Sequence, residues 1–175
     1  MWKWKMVAAA SLVVASLAVT VPAQAQHINV RDAAGDTIDR GPDMTSVSFR
    51  NRDHAVVVVF TFVHDRRGEV IFPVRARGLG FIGGVVSQHP HQGPDHVIFE
   101  TRAGRTPCPR LTSDWNRRIA RVKIRVPSGC LNGGDYGAIK SWALIEGYHS
   151  TSSDVDYAPE TPNGHLTFTD WIPRG

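Results

Sequence analysis

Short runs of β-branched residues, separated by turn-forming residues, are the feature that most limits what this chain can fold into. The clearest run is 119–126, where apolar residues alternate with Arg121, Lys123 and Arg125. Such an alternation places one face of a strand in a core and the other face in water. Pro127 follows the run, and proline cannot donate to a strand ladder. The pattern predicts strands, and no segment shows a sustained helical period.

Composition beyond residue 25 favours the same structure, with 15 Val and 10 Ile against five Leu, four Glu and two Lys. β-branched side chains pack well on a pleated sheet, whereas Leu, Glu and Lys are good helix formers. The run from Ala55 to Phe62 is apolar on both faces and predicts a central strand in a sheet that is covered on both sides. About eight strands are predicted, at 28–30, 45–50, 55–62, 69–76, 81–87, 97–101, 119–126 and 139–146.

These strands predict an all-β fold: a single antiparallel β-sandwich of jelly-roll-like type over residues 26–175. Gly- and Pro-rich connections and the absence of a linker or repeat support one domain. The last segment, from Ser150, is rich in Asp and Pro and is expected to be irregular. Phe168 and Trp171 are expected to attach this tail to the body of the protein.

The first 25 residues have the order of a secretory signal peptide. Lys3 and Lys5 precede an apolar run at 6–21, and Ala23 and Ala25 follow at the small-residue positions of a cleavage site. The apolar run is 16 residues long, whereas spanning a bilayer takes about 20. Cleavage after Ala25 predicts a secreted, extracellular protein with no transmembrane segment in the mature chain, and an uncleaved anchor is the alternative.

Cys108 and Cys130 are the two cysteines of the chain. In an oxidising compartment an isolated pair is typically bonded, so a structural disulfide is expected. The alternative, a catalytic or metal-binding thiol, lacks a second Cys or a His at ligand spacing.

Charge is nearly balanced once the leader is set aside. Two of the 20 basic residues lie in the first 25, which leaves 18 against 16 acidic residues. This balance argues against a nucleic-acid partner. Sixteen of the 18 are Arg, and Arg117, Arg118, Arg121 and Arg125 crowd one strand and its start. Because Arg binds carboxylates and phosphates in bidentate fashion, this face could dock an acidic envelope polymer, or it could simply balance the many Asp residues.

A histidine-rich loop is the first candidate metal site. His89, His91 and His96 lie within eight residues, between the strands expected at 81–87 and 97–101. Imidazole is a ligand for Zn, Cu and Ni. The alternative is a solvated hairpin loop, which the two prolines and Gly93 also favour.

A run of aspartates is the second candidate. Asp32 and Asp36 are the expected ligands, and Asp39 and Asp43 follow within the same twelve residues. Oxygen ligands on a loop are the set that Ca²⁺ prefers. The spacing differs from an EF-hand loop, and Asp also stabilises ordinary turns. Calcium binding and plain turn chemistry both remain open.

Five stretches support a resemblance to known proteins, namely 32–36 (DAAGD), 43–47 (DMTSV), 121–131, 156–159 (DYAP) and 168–171 (FTDW). They resemble a group of secreted β-sandwich proteins of actinobacterial type that has no established activity. More distantly, the layout is similar to DOMON-like and family-nine carbohydrate-binding modules. Those are β-sandwiches with an Asp-containing first loop and a strand that ends in Pro before a Leu. The resemblance implies a sandwich fold and a glycan as ligand.

The chain departs from both distant families. A DOMON-like haem site uses a Met and a His, and Met44 is the only Met after the leader. Sugar stacking uses paired exposed aromatics, but Trp115, Trp142 and Trp171 are far apart in the sequence. Trp115, between Asp114 and Asn116, is the best candidate for an exposed ligand-binding platform.

Hydrolase motifs such as G-x-S-x-G and H-E-x-x-H are missing from the sequence. We therefore expect a secreted, monomeric, non-enzymatic binding or structural module at the cell envelope, with a glycan as ligand and no resident cofactor. An enzyme without a familiar motif stays open. The alternative function is a secreted protein that binds Cu, Zn or Ca, with the metal serving storage, sensing or catalysis.

Overall fold

The computed structural model of the protein describes residues 27–37, 41–90, 96–147 and 155–175. They form two antiparallel sheets packed face to face, which confirms the predicted all-β sandwich. The predicted signal peptide, Asp39 and His91 lie outside the described residues. In chain order the strands are β1 (His27–Arg31), β2 (Met44–Arg52), β3 (Ala55–Phe62), β4 (Gly68–Ala76), β5 (Gly80–Gln88), β6 (His96–Thr101), β7 (Gly104–Arg105), β8 (Thr112–Asn116), β9 (Arg121–Pro127), β10 (Ile139–Lys140), β11 (Ala143–Gly147) and β12 (Val155–Ala158).

The first sheet has the strand order β1-β2-β3-β9-β8. β2 and β3 form a hairpin through Asp53 and His54, in the connection between the strands predicted at 45–50 and 55–62. β3 is the middle strand, as its valines predict. The expectation that both sides are covered is wrong for the described residues, because Val57 and Val59 line an open groove. The chain then builds part of the second sheet before β8 and β9 complete the first.

The second sheet has the order β12-β11-β4-β5-β6-β7, and β10 also pairs with β4. The strand predicted at 139–146 is divided into β10 and β11 because Pro73 of β4 lies opposite the gap. Proline has no N–H to donate to a ladder, and the hydroxyl of Ser141 donates to the Pro73 carbonyl instead.

Three strands were missed by the sequence patterns. β7 has two residues, and β8 (Thr-Ser-Asp-Trp-Asn) carries no β-branched run. β12 lies in the Asp-rich segment that was expected to be irregular, so that expectation is wrong for Val155–Ala158. The described strands therefore number twelve rather than about eight.

The core lies between the two sheets. Phe49 and Phe60 from the first sheet meet Phe72 and Ile145 from the second, and all four are fully buried. Each such side chain contributes roughly 1.5–3 kcal/mol by leaving water. Alternate residues of the same strands face outward, so each sheet has one outer face.

The predicted disulfide is confirmed. Cys108 and Cys130 are bonded, with a Cα–Cα distance of 5.3 Å. Cys108 lies ahead of β8, and Cys130 ends the 3₁₀ turn Ser128–Cys130 that follows β9. The bond therefore joins the segments that flank two neighbouring strands.

The tail is attached to the second sheet through its aromatic residues, as expected. Lys140 Nζ lies 4.8 Å from the ring centre of Phe168, and the Arg77 guanidinium carbon lies 5.0 Å from that of Trp171. Ile172 is fully buried and exchanges two backbone hydrogen bonds with Ile139. Within the described part of the chain, no helix has the length and apolar character needed to cross a membrane.

Candidate functional site

The outer face of the first sheet is a regular grid of polar residues. Val47, Phe49, Val58, Phe60 and Ile124 point into the core, so their neighbours along each strand point outward. Cross-strand register arranges these neighbours in three rows of five. The rows are His27-Arg50-Val57-Arg125-Thr112, Asn29-Ser48-Val59-Lys123-Asp114 and Arg31-Ser46-Thr61-Arg121-Asn116.

We call the grooved part of this grid the basic face: Arg50, Arg52, Arg121, Lys123 and Arg125 line an open groove of about 1000 Å³. Asp53 is the one acidic side chain among the described residues of the lining, and Asp114 on the neighbouring strand is paired in register with Lys123. No described carboxylate lies within ion-pair distance of the five cations. The groove is therefore a concave surface with an excess of positive charge.

The valines at the centre of the groove are shielded by their neighbours in the grid. Val57 is only 6% exposed, although it lines the open groove and no second layer of the described residues covers it. Its partners in register are Arg50 and Arg125. Long basic side chains can lay their methylene stems on apolar surface and keep the charge in water. In this arrangement the stems of the basic side chains would cover the valines, and the charged groups would lie at the open side of the groove.

The second site is the acidic cluster, which consists of Asp32, Asp36, Asp43 and Asp156. One carboxylate oxygen from each of Asp36, Asp43 and Asp156 lies within 4.8 Å of the other two. The backbone N–H of Gly35 donates to Asp43 at 2.8 Å. Asp32, Asp36 and Asp43 come from the connection between β1 and β2, while Asp156 lies on β12, so the cluster joins the two sheets.

Burial and mutual repulsion raise the pKa values of Asp32 and Asp156 in the cluster. Desolvation, and then the charge of Asp156, raise the pKa of Asp32 to about 8. Desolvation likewise raises the pKa of Asp156, although the Met44 N–H, which donates to its carboxylate at 2.7 Å, acts in the opposite direction. Asp32 therefore holds a proton at neutral pH.

Two oxygens of the cluster lack partners. Asp32 Oδ2 and Asp43 Oδ1 are buried and accept no hydrogen bond from the described residues. A buried acceptor without a donor costs about 1–3 kcal/mol. A hard cation with oxygen ligands, above all Ca²⁺, would fit this all-carboxylate donor set.

The histidine loop is only partly described. His89 is 8% exposed, and its Nε2 lies 2.9 Å from Asp65 Oδ1 while its Nδ1 lies 3.0 Å from the Pro90 carbonyl. Both ring nitrogens of His89 therefore already have hydrogen-bond partners within the protein. His96 is exposed at the start of β6. Because His91 lies outside the described residues, the three-histidine metal site stays a prediction.

The expectation that Trp115 is an exposed platform is wrong. Trp115 is 8% exposed, stacks on Phe62 with ring centres 5.8 Å apart, and donates from Nε1 to Ser87 Oγ at 3.1 Å. It pairs in register with Val122, which points into the core. Trp115 therefore closes one end of the core and cannot stack on a ligand.

Sequence reasoning found part of each site. Asp32, Asp36 and Asp43 are neighbours in the chain, but Asp156 is more than a hundred residues away and has no local signal. Arg121 and Arg125 were singled out, whereas Arg117 and Arg118 form a 3₁₀ turn outside the groove lining. Alternation along the strand already places Lys123 beside Arg121 and Arg125. Strand pairing added Arg50 and Arg52 to them, which only a known register could have predicted.

Comparison with known proteins identifies no family: no family model matches the chain, and no curated protein is significantly similar to it. What the fold and the sites define is a disulfide-bonded β-sandwich with a basic groove on one outer face and a carboxylate cluster between its sheets.

Proposed function

We propose that this protein is a secreted, non-enzymatic binding module that holds an anionic glycan of the cell envelope on its basic face. The observation that carries the proposal is the groove lined by five Lys and Arg side chains, none of which lies within ion-pair distance of a described carboxylate. Export is supported by the order of residues 1–25 and by the disulfide, since disulfides persist in oxidising compartments.

Charge determines which polymer the groove suits. Clustered cations above a low-dielectric surface attract a polyanion and raise its rate of association. Arg50, Arg121 and Arg125 can each form bidentate hydrogen bonds with a carboxylate or sulfate group. The described groove lining contains no Phe, Tyr or Trp, so it lacks the large rings on which a neutral sugar stacks.

The same lining favours an acidic glycan over a nucleic acid. Single-stranded nucleic acids bind largely through stacking of bases on aromatic side chains, and the described lining offers only the small rings of His27 and His54. The chain beyond residue 25 is also close to neutral, whereas nucleic-acid-binding domains are typically strongly basic.

The test is binding to polygalacturonate, with dextran as the neutral control, measured by affinity electrophoresis and calorimetry at low salt. Wild type should bind polygalacturonate and not dextran, and salt should weaken the binding. Arg121→Ser/Arg125→Ser should weaken it about tenfold or more, since a hydrogen bond to a charged group is worth about 1.5–3 kcal/mol.

The matched control is Arg102→Ser/Arg105→Ser, which removes the same charge from exposed positions outside the groove. This variant should bind like wild type. Equal losses in the two variants would mean that only net charge matters and would overturn the basic face as the site. Tighter binding of single-stranded DNA than of polygalacturonate at equal salt would overturn the ligand class.

The buried, unpartnered oxygens of the acidic cluster favour a second candidate function, calcium binding. Ca²⁺ would reduce the repulsion among Asp36, Asp43 and Asp156. The buried oxygens that accept no hydrogen bond would coordinate the ion. It would also join β12 to the connection between β1 and β2, because the ligands come from both.

Calcium binding predicts a higher melting temperature. At a calcium concentration a hundred times the dissociation constant, stability should rise by about 2.7 kcal/mol, which corresponds to roughly 5–11 °C for a domain of this size. Asp36→Asn should remove most of the increase, while Asp170→Asn, an exposed position away from the cluster, should keep it. A chelator-treated wild type that gives no heat of binding and no shift at millimolar Ca²⁺ would contradict this candidate.

A further inference from the structure

The hairpin that joins β4 to β5 ends in exposed apolar residues. In its turn, Gly78 and Gly80 have positive φ angles of 80° and 70°, which glycine adopts at low cost. Leu79 between them is 46% exposed, and Phe81 is 36% exposed. A Cβ added at either glycine would meet no described atom within 4 Å, so the turn has open space around it. We call residues 77–81 the apolar tip.

The apolar surface continues from the tip onto the outer face of the second sheet. The ring of Phe81 lies over Gly84, with its far carbon 3.8 Å from the position that a Cβ would take there. Val85 points into the core, so its neighbour Gly84 faces outward. Trp171, whose ring lies beside Arg77, is also partly exposed. An aliphatic side chain at the turn is therefore backed by two aromatic rings.

Three basic residues lie directly behind the apolar tip. The Arg77 guanidinium carbon lies 5.0 Å from the ring centre of Trp171, and Lys140 Nζ lies 5.1 Å from the same centre. Arg75 is exposed near the end of β4. An aromatic ring attracts a cation through its quadrupole but has no net charge, so the positive charge remains. Asp135 and Asp170 are exposed in the adjoining segments, and no described carboxylate lies within ion-pair distance of the three cations.

A second exposed apolar pair, Val63 and Ile119, lies at the opposite end of the sandwich. The N–H of Val63 donates to the carbonyl of Asp43, just ahead of β2. The apolar tip lies toward the other end of β2, because Arg77 and Asn51 donate to neighbouring carbonyls of the segment before β10. The acidic cluster therefore adjoins Val63 and is remote from the tip. A negatively charged surface would be repelled at the first end and attracted at the second.

We propose that the apolar tip docks on a bilayer of anionic phospholipid. Leu79 and Phe81 enter the interfacial region, which apolar side chains of peripheral proteins penetrate by roughly 5–10 Å. Arg75, Arg77 and Lys140 then lie at the level of the lipid phosphates, where basic residues strengthen binding to anionic membranes. The interfacial level also suits Trp171, because a Trp ring has an apolar body and a polar N–H.

Shape and size favour a lipid surface over a protein partner. Two apolar side chains on a convex turn offer far less than the roughly 800 Å² per partner of a standard protein interface. A fluid bilayer needs no matching surface and admits such a turn. The apolar tip also lies outside the lining of the basic groove, so the proposal is independent of the proposed glycan.

The test is co-sedimentation of the secreted, disulfide-bonded protein with vesicles of phosphatidylcholine and phosphatidylglycerol, with pure phosphatidylcholine as the neutral control. Wild type should bind the anionic vesicles roughly tenfold or more tightly than the neutral ones, since each cation near the surface contributes about fivefold. Arg77→Ser should therefore weaken binding about fivefold. Leu79→Ser should also weaken it about fivefold, because burial of a whole Leu side chain is worth about tenfold or more and Leu79 is half exposed.

Matched controls make the same changes at the other end of the molecule. Arg118→Ser and Ile119→Ser alter an exposed cation and an exposed apolar residue there, and both variants should bind vesicles like wild type. The groove variant Arg121→Ser/Arg125→Ser should lose glycan binding and keep vesicle binding. Losses in any of these controls as large as those at the tip would overturn the proposal, as would a wild type that does not bind anionic vesicles. If wild type instead forms a dimer that Leu79→Ser dissociates, the tip binds a second copy of the chain and the lipid surface is excluded.

Discussion

Asp32 is the residue whose environment is most informative about how the protein responds to conditions. Its carboxyl is desolvated and lies beside Asp156, and one of its oxygens is buried without a donor. Its pKa of about 8 in the folded protein compares with 3.8 for the free group. Below pH 3.8 both states are protonated. Between pH 3.8 and 8 the unfolded chain loses this proton while the folded protein keeps it, so folding becomes less favourable as pH rises.

Replacing this carboxyl by an amide should therefore stabilise the protein at high pH. In the presence of a chelator, Asp32→Asn should melt at least roughly 2–4 °C above wild type at pH 8 and close to wild type at pH 4. The asparagine can still donate a hydrogen bond to Asp156, and it never ionises. Melting curves at several pH values are the measurement. If the difference in melting temperature between Asp32→Asn and wild type stays constant from pH 4 to pH 8, titration of Asp32 is not the cause of that difference.

At the scale of secondary-structure elements, single backbone features determine where a strand begins. Ala120 adopts a left-handed conformation with φ 44°, after the 3₁₀ turn Arg117–Ile119. β9 therefore begins at Arg121, and the strand start expected at Ile119 is wrong. Ile119 is 51% exposed on this turn. The strand beyond it keeps the alternation that the sequence predicts, with Val122, Ile124 and Val126 buried.

The disulfide belongs to this scale because it joins the ends of neighbouring elements. The two cysteines are separated by 22 positions in the sequence, so chain entropy predicts about 3.4 kcal/mol of stabilisation. Cys108→Ser/Cys130→Ser should lower the melting temperature by roughly 7–14 °C. Differential scanning calorimetry of oxidised protein against this variant is the measurement. A loss of less than about 2 °C would show that the loop is already restrained without the bond.

At the scale of the whole molecule, the two outer faces of the sandwich point in opposite directions and have opposite properties. One has a basic groove, and the other carries a partly exposed row of apolar residues that includes Leu144, Ile71, Val86 and Ile98.

The sequence by itself determined the class of fold, the disulfide, most strands and part of each site. Alternation in 119–126 and the cysteine pair carry that information locally, because side-chain period and redox chemistry do not depend on distant residues. Only the tertiary structure decided that Trp115 is buried, that Asp156 joins three distant aspartates, and that Lys123 lies in a row with Ser48. These facts depend on which strands pair and in which register, and pairing is set by the packing of the whole core.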